Sequence, residues 1–305
     1  MIEIIKNTKI DFMGKRKYMF FISGALVSLG IFALVMIWSG HGNMGIDFAG
    51  GTEVQVGFSR RVPLSEARSA LMATGLKGLQ LQELPTVNKL IVMAKGKQSN
   101  LSGISNTIIS TLQSRFKSAS PVIDMQTEVG PKVGNRLRKD AIVAIIFATL
   151  GILAYITLRF QFRFSVGAAI ATFHDVFAVL GVFYLLGKEI NLILISALLI
   201  IAGYSLTDTV VVFDRIRENM RIMLKDPVEK VVNVSINEVL SRTAITSLTV
   251  LFSSLAILFF GGEVIHDFAL AITLGVIVGT YSSWFVASPM VILIGGGKTI
   301  NNRRR

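Results

Sequence analysis

The sequence predicts an integral membrane protein of the α-helical class, with six transmembrane helices and one α+β domain of ferredoxin-like topology between the first and second helix. The 305 residues are 52% hydrophobic and 16% charged, with a mean hydropathy of +0.62, whereas a soluble domain carries about 25% charged residues. Several apolar runs approach the ~20 residues that cross a bilayer. Between the first two runs, one long polar stretch has apolar residues that alternate as in β-strands.

Six apolar runs give the predicted spans. They are residues 18–38, 141–158, 164–186, 192–213, 244–260 and 268–294. The first run follows three basic residues, as in a signal peptide, but it is too long for one and no small-residue cleavage pattern follows it. We therefore interpret it as an uncleaved membrane anchor.

Lysine and arginine near the span ends predict the orientation, because short cytoplasmic loops carry an excess of them. Both chain ends, the turn after the second span and the segment 214–243 are basic, whereas the two short loops on the opposite side contain only Lys188. Both termini are therefore predicted to be cytoplasmic. We attribute the net charge of +12 to basic residues that fix the orientation of the helices and contact anionic lipid. Nucleic acid is therefore not a predicted partner.

The predicted domain boundaries follow from these spans. Residues 1–38 are the cytoplasmic N-terminus and first helix, 39–138 the outer domain, 139–294 the remaining helices with a cytoplasmic loop at about 214–243, and 295–305 a basic tail. The loop mixes charged and apolar residues, so we expect an amphipathic segment on the membrane interface.

The outer domain has the predicted element order β-α-β-β-α-β. The candidates are strands at 51–58, 78–84, 88–94 and 121–128 and helices at 63–74 and 100–117. This order is that of the split β-α-β, or ferredoxin-like, sandwich. Gly50 and Gly51 precede the first strand, where glycine permits a tight turn or close backbone contact. The acidic residues are scattered, so we predict a binding or mechanical module and not an enzyme.

Composition excludes or disfavours several kinds of site. The chain has no cysteine and three histidines; thiolate chemistry is therefore excluded, and neither a metal centre nor a cofactor is predicted. The sequence G-G-G-K-T at 295–299 is not a P-loop, because Ile292 occupies the position of the required glycine.

Asp208 is the first candidate for function, because it interrupts an apolar run. A carboxylate there costs roughly 2.5–3.5 kcal/mol on insertion scales, and intramembrane acids commonly mark proton or ion paths. Ser205 and Thr209 are neighbours of Asp208 on the same helix, and Gly203 and Ser205 are small enough to let another helix approach closely. The alternative is a protonated acid retained for packing.

Arg242 is the predicted partner of Asp208, since both belong to the cytoplasmic halves of adjacent antiparallel spans. It begins a polar stripe at helical spacing that continues through Thr246, Thr249 and Ser253. Such a stripe should face a neighbour or a wet cavity. An arginine can reach inward by snorkelling, so the predicted link between Arg242 and Asp208 is either direct contact or a bridge through one water. The alternative for Arg242 is an interfacial residue that helps to fix orientation.

His174 and Asp175 are a second-tier candidate near the bilayer centre of the third span. With small residues on the same face, they predict an inward-facing polar surface. That surface serves either as a proton relay or as a hydrogen-bonded helix contact. Gly275 and Gly279 form a G-x-x-x-G motif, a common helix-packing pattern.

Four motifs resemble the SecD–SecF family of the bacterial Sec export system. They are G-I-D-F-A-G-G-T at 45–52, V-G-P-K-V-G at 129–134, G-Y-S-L-T-D-T-V-V-V-F-D-R-I-R-E-N at 203–219 and L-S-R-T-A-I-T-S at 240–247. The third motif is long and specific. The length and the single outer domain favour the SecF branch, since SecD has a larger outer region.

The resemblance implies a bundle like that of RND transporters, in the bacterial inner membrane, with a periplasmic outer domain and SecD as partner. It implies that the proton-motive force assists export of unfolded preproteins through the SecY–SecE–SecG channel, after the SecA ATPase has acted. It assigns proton transport to Asp208 and Arg242. The family's usual asparagine is Thr207 here, a polar change that leaves the carboxylate in place.

Three other functions are compatible with the sequence. A small-molecule or lipid transporter of the RND type would share the bundle, but such proteins usually carry two six-helix halves in one chain. A scaffold that only assembles a translocase would tolerate loss of Asp208. An intramembrane hydrolase using Asp175 and Asp208 ranks last, because paired catalytic aspartates must lie a few ångströms apart and these two are predicted at different depths.

Overall fold

The structure, a computed structural model, describes residues 8–76, 78–84, 88–94, 101–262 and 265–295. These residues form two compact units: a helical unit within Met1–Asn43, Ile145–Glu189 and Ile193–Arg305, and an α+β unit within Met44–Ala144 and Ile190–Leu192. In chain order the elements are α1 (Arg16–Trp38), α2 (Ile46–Ala49), β1 (Gly51–Gly57), α3 (Leu64–Met72), β2 (Gln80–Leu84), β3 (Lys89–Ala94), α4 (Leu101–Arg115), β4 (Val122–Val129), α5 (Pro131–Arg159), α6 (Phe162–Leu185), α7 (Leu192–Ile222), α8 (Val228–Phe260), α9 (His266–Ser282) and α10 (Ser288–Ile294).

In the part of the chain that the structure describes, six helices are long and apolar enough to cross a membrane, which confirms the predicted spans. They are α1, α5, α6, α7, α8 and a sixth that comprises α9 and α10. α9 and α10 are joined by a π-helical turn at Ser283–Ala287. The sides of the membrane that the helix ends face stay a prediction, and the tail at 296–305, with most of G-G-G-K-T, lies outside the described residues.

The sheet of the α+β unit has four strands in the order β2-β3-β1-β4, and all neighbours are antiparallel. This is the order of a ferredoxin-like sandwich, as the sequence predicts. Alternate residues of β1 separate the two faces: Val54 and Val56 belong to a core with Ile108 of α4 and Leu71 of α3, whereas Glu53 lies outside that core. The helices cover one face because period-two alternation places the apolar side chains there.

The segment before β1 makes close backbone contacts within the α+β unit. Gly50 has φ of +71°, and a Cβ atom there would lie 3.0 Å from Cα of Pro131. The Asp47 carboxylate accepts a hydrogen bond of 3.1 Å from the backbone N–H of Leu192, the first residue of α7. The glycine pair therefore lets the chain turn tightly, and Asp47 caps one of the amide groups that a helix N-terminus leaves without a partner.

In the helical unit, α1 and α6 cross so closely that glycine is required at the contact. A Cβ atom on Gly30 would lie 2.2 Å from the backbone oxygen of Phe177, and one on Gly181 would lie 2.8 Å from the nitrogen of Gly30. Without a hydrophobic force between helices in lipid, close approach and van der Waals packing supply much of the association energy.

Replacing Gly30 with alanine should lower the stability of the helical unit. The added methyl group must displace backbone atoms of α6, and overpacking of this kind costs about 1–3 kcal/mol, against a gain in helix propensity of about 1 kcal/mol. Gly24→Ala is the matched control, because nothing lies within 4 Å of a Cβ atom at Gly24 on the same helix. Thermal unfolding in nanodiscs should give a lower midpoint for Gly30→Ala only; equal midpoints for the two variants would contradict the contact.

The segment predicted as an interfacial loop at 214–243 is a helical hairpin, because α7 and α8 extend until only residues 223–227 separate them. Many of its apolar side chains are buried in the protein, whereas Ile222 and Leu224 near the turn of the hairpin are exposed. The shared core at this end of the bundle contains Phe12, Met13, Ile216, Met220, Val231, Val232, Ile236 and Leu240. The helical periodicity correctly predicts an amphipathic segment, but other residues of the chain, such as Phe12 and Met13, pack against its apolar face.

Two asparagine side chains of α8, Asn233 and Asn237, hold the N-terminal segment against this helix by hydrogen bonds. Asn233 Oδ1 accepts hydrogen bonds from the backbone N–H groups of Phe12, at 2.9 Å, and Met13, at 3.0 Å. Asn237 exchanges two hydrogen bonds with the backbone of Ile10. These contacts bury the Phe12 ring, which lies 5.3 Å from the ring of Phe285 in the π-helical turn.

Candidate functional site

Asp208 is buried on α7, with 4% of its surface exposed, and its carboxylate is bound by hydroxyl groups. Ser247 Oγ of α8 donates to Oδ2 at 2.8 Å, and Thr246 Oγ1 of α8 donates to Oδ1 at 3.2 Å. Thr280 Oγ1 of α9 lies 2.8 Å from Ser247 Oγ and donates to it. A chain of hydrogen bonds therefore joins the acid on α7 to α8 and α9.

This arrangement gives Asp208 polar partners without a charged one. Two hydroxyl donors stabilise an ionised carboxylate, whereas burial among apolar helices favours the protonated acid. A group subject to both influences changes its protonation when its surroundings change. Asp208 is therefore subject to two opposing influences on its protonation.

Arg242 does not form the predicted direct pair with Asp208 in this structure. The guanidinium is exposed on α8, and among the described residues no ion pair within 4 Å joins it to the acid. Thr246, one turn further along α8, lies 3.2 Å from Asp208 Oδ1. The backbone oxygens of Thr243, at 2.9 Å, and Arg242, at 3.2 Å, are alternative acceptors for the single hydroxyl proton of Thr246. Arg242 therefore lies one turn along α8 from the buried acid, on the same exposed face as Thr246.

The predicted polar stripe on α8 is exposed within this chain. Thr249 and Ser253 donate to backbone oxygens of their own helix, and the exposed surface includes Arg242 and Thr246. The face of α8 that is buried instead carries Thr243, Ser247 and Ser254. Sequence analysis missed Ser247 because serine and threonine line both faces of this helix, so spacing alone does not show which face packs inward.

Asp175 and His174 lie together in the interior, on α6. Asp175 is 0% and His174 2% exposed. Oδ1 of Asp175 lies 2.9 Å from Nδ1 of His174. Its Oδ2 accepts a hydrogen bond of 2.8 Å from Ser282 Oγ on α9 and another from the Ser205 hydroxyl on α7. Both residues therefore face inward as predicted, and their partners join three helices.

The small and polar residues near Asp208 on α7 differ in what they contact. Ser205 faces α9, since a Cβ atom on Gly279 would lie 3.2 Å from Ser205 Cβ. Thr209 is buried and lies 2.9 Å from Ser283 Oγ. Gly203 is exposed and has nothing within 4 Å of a Cβ position, so within this chain it does not receive a helix as predicted. Gly275 packs against Ile201 of α7, which places the G-x-x-x-G motif at the α7–α9 contact.

Two observations concern catalysis and metals. Within the described ranges, no group of three or more histidine, aspartate and glutamate side chains could hold a metal ion. Asp175 and Asp208 accept hydrogen bonds from different hydroxyl groups: Ser205 and Ser282 for the first, Thr246 and Ser247 for the second. The two acids therefore have separate sets of hydrogen-bond donors.

Two protein-family models match regions of the chain that include candidate site residues. The family model for the C-terminal part of protein export membrane proteins SecD/SecF matches residues 108–296, and the SecD/SecF GG motif matches residues 43–60. The first match includes Asp175, Asp208 and Arg242, and the second includes Gly50 and Gly51.

Curated relatives match over nearly the whole chain. The protein translocase subunit SecF of Thermodesulfovibrio yellowstonii is 54% identical over 302 residues, covering 98% of this chain and 99% of the relative. The protein translocase subunit SecF of Calditerrivibrio nitroreducens is 39% identical over 297 residues, covering 96% and 97%.

Solved structures match with the same arrangement of elements. The crystal structure of SecDF, a translocon-associated membrane protein from Thermus thermophilus, has a TM-score of 0.83 and 34% identity over 95% of this chain. The present chain spans 39% of that SecDF chain. A crystal structure of SecDF in a super-membrane-facing form has a TM-score of 0.69 at the same 34% identity, so the two SecDF forms differ in how well they superpose on this chain.

Proposed function

Since this chain belongs to the SecF family of protein translocase subunits, we propose that it couples proton movement through its membrane helices to the export of preproteins. The observation that carries this proposal is Asp208, a buried acid in a membrane helix with two hydroxyl partners on α8, one of which is bound in turn by Thr280 of α9. Its protonation changes the hydrogen bonds that hold α7 against α8. Uptake and release of a proton by Asp208 therefore drive movement of α7 relative to α8.

The free energy released when one proton crosses the membrane is large enough to bias a conformational change. One charge that crosses 100 mV releases about 2.3 kcal/mol. Because a factor of ten corresponds to about 1.4 kcal/mol, one proton biases a conformational equilibrium by roughly 50-fold. Such a bias is sufficient for repeated weak pulling on an unfolded chain that has already entered the SecY–SecE–SecG channel under the action of SecA.

The exposed stripe on α8 supports SecD as the membrane partner. Arg242, Thr246, Thr249 and Ser253 are exposed, and a guanidinium that faces lipid is costly. A second helical protein on this surface would cover the stripe and confine Arg242 near the cytoplasmic side of Asp208. In this assembly Arg242 controls access of the proton to Asp208 and does not form a permanent ion pair with it. The chain would lie in the bacterial inner membrane with both termini in the cytoplasm.

The function is tested by export in reconstituted vesicles that contain the translocase, SecD and this chain. A preprotein is first trapped part-way, ATP is then removed, and a proton gradient is imposed. We expect the gradient to increase completed export only when the chain is present, and a protonophore to remove the increase. Export that ignores the gradient would contradict the proposal. Gradient-driven extrusion of dyes or lipids without preprotein would favour an RND-type small-molecule or lipid transporter.

A further inference from the structure

The His174–Asp175 cluster is a buried ionisable site that the proposed function does not use. It consists of these two residues on α6 with Ser205 of α7 and Ser282 of α9. All four side chains are at most 2% exposed. The ring of His174 also lies 6.1 Å from that of Tyr281 on α9.

The hydrogen bonds of the cluster define its protonation when Asp175 is ionised. The carboxylate then accepts three donors: Nδ1–H of His174 and the hydroxyl groups of Ser205 and Ser282. A neutral imidazole that donates from Nδ1 has no proton on Nε2. The Nε2 atom of His174 is buried and has no hydrogen-bond partner in the described structure. One basic nitrogen is therefore left free beside a buried negative charge.

The surroundings do not neutralise that charge. α1 carries ionisable residues only in its first turn, and α10 and the π-helical turn carry none. The ionisable groups that α7 and α9 bring into the middle of the bundle are Tyr204, Asp208 and Tyr281; none of them is a cation. An uncompensated charge in such an interior is strongly disfavoured.

We propose that His174 and Asp175 form a second proton-binding site, separate from Asp208, which holds one proton on the shared pair. Binding to Nε2 gives an imidazolium–carboxylate pair, and binding to the carboxylate gives a neutral acid and a neutral imidazole. Either form removes the net negative charge of the cluster. The bonds from Ser205 and Ser282 then weaken or strengthen with the charge of the acid, so that the proton also changes how firmly α7 and α9 are held to α6.

The site is tested by nitrogen NMR of the full chain with ¹⁵N-labelled histidine in nanodiscs. The chain contains three histidines, and His174→Gln identifies the signals of His174. Both ring nitrogens of His174 should shift with pH as a single proton is gained, because protonation of either member changes the charge or the tautomer of the ring. Signals of His174 that stay constant between about pH 4 and 10 at the shifts of a neutral ring with a proton on Nδ1 and none on Nε2, the form that accompanies an ionised Asp175, would overturn the proposal.

Two variants sharpen this test and separate it from the proposed function. Asp175→Asn should remove the acid-coupled titration, and Ser282→Ala should shift its midpoint because the carboxylate loses a donor. Asp208→Asn should leave the titration of His174 present. If Asp208→Asn exported preprotein normally under a proton gradient, the proposed function would fail while the second site remained supported. The wild-type titration decides the question even if Asp175→Asn does not fold.

Discussion

We expect Asp208→Asn to abolish proton-dependent export while the chain still inserts and folds. Asparagine has nearly the same shape, and its amide oxygen can accept the bond that Ser247 donates to Oδ2 of the acid, while its NH2 group replaces Oδ1, which Thr246 contacts in the wild type. It cannot bind and release a proton. The roughly 50-fold bias that one proton provides across 100 mV is therefore lost, and gradient-driven completion of export should fall to the level seen without a gradient.

Asp214→Asn is the matched control for this prediction. Asp214 lies on the same helix, but its side chain is 41% exposed and pairs with Arg159 at 2.9 Å. An exposed ion pair contributes about 0–1 kcal/mol, so this variant should export much as the wild type does. Full gradient dependence in Asp208→Asn, measured with trapped preprotein in the same vesicles, would remove Asp208 from the mechanism.

Phe12→Ala should destabilise the helical unit by about 3–5 kcal/mol, the usual cost of truncating a buried aromatic side chain. Phe12 is 2% exposed, and its ring lies 6.0 Å from Trp284 and 5.3 Å from Phe285. The loss should be large because the cavity would open between the N-terminal segment and the π-helical turn, where no flexible loop can close it.

Chemical or thermal unfolding of the purified chain in nanodiscs measures this effect. Phe21→Ala is the control, because the Phe21 side chain is 81% exposed on α1 and loses only contact with lipid. A clearly lower midpoint for Phe12→Ala than for Phe21→Ala is expected. Equal stability of the two variants would show that the N-terminal segment does not hold the bundle.

The elements themselves were predictable because each depends on local sequence. Apolar runs of bilayer length predict helices wherever they occur, and alternation with turn residues predicts the four strands and their ferredoxin-like order. The hairpin of α7 and α8 shows the limit of this reasoning. Its amphipathic pattern predicts an apolar surface, but the pattern is the same whether lipid or Phe12 covers that surface.

Of the residues in the candidate site, only the two acidic residues were predictable from the sequence. Asp175 and Asp208 interrupt apolar runs, and that anomaly is visible in a single sequence. Their partners were not visible: hydroxyl residues occur throughout α8, and Ser282 belongs to a helix whose motif suggested only packing. Arg242 was expected to pair with Asp208 from depth and charge alone, but Thr246, one turn further along the same face of α8, contacts the acid instead.

The sequence by itself determined the number of spanning helices and the two buried acids, since these follow from the cost of placing each residue type in lipid or water. The tertiary structure alone decided which hydroxyl groups bind which acid and which face of α8 is exposed. Those choices depend on the rotation of each helix about its axis. That rotation is set by contacts between distant residues, such as Gly30 with α6 and Gly275 with Ile201, which no local pattern contains.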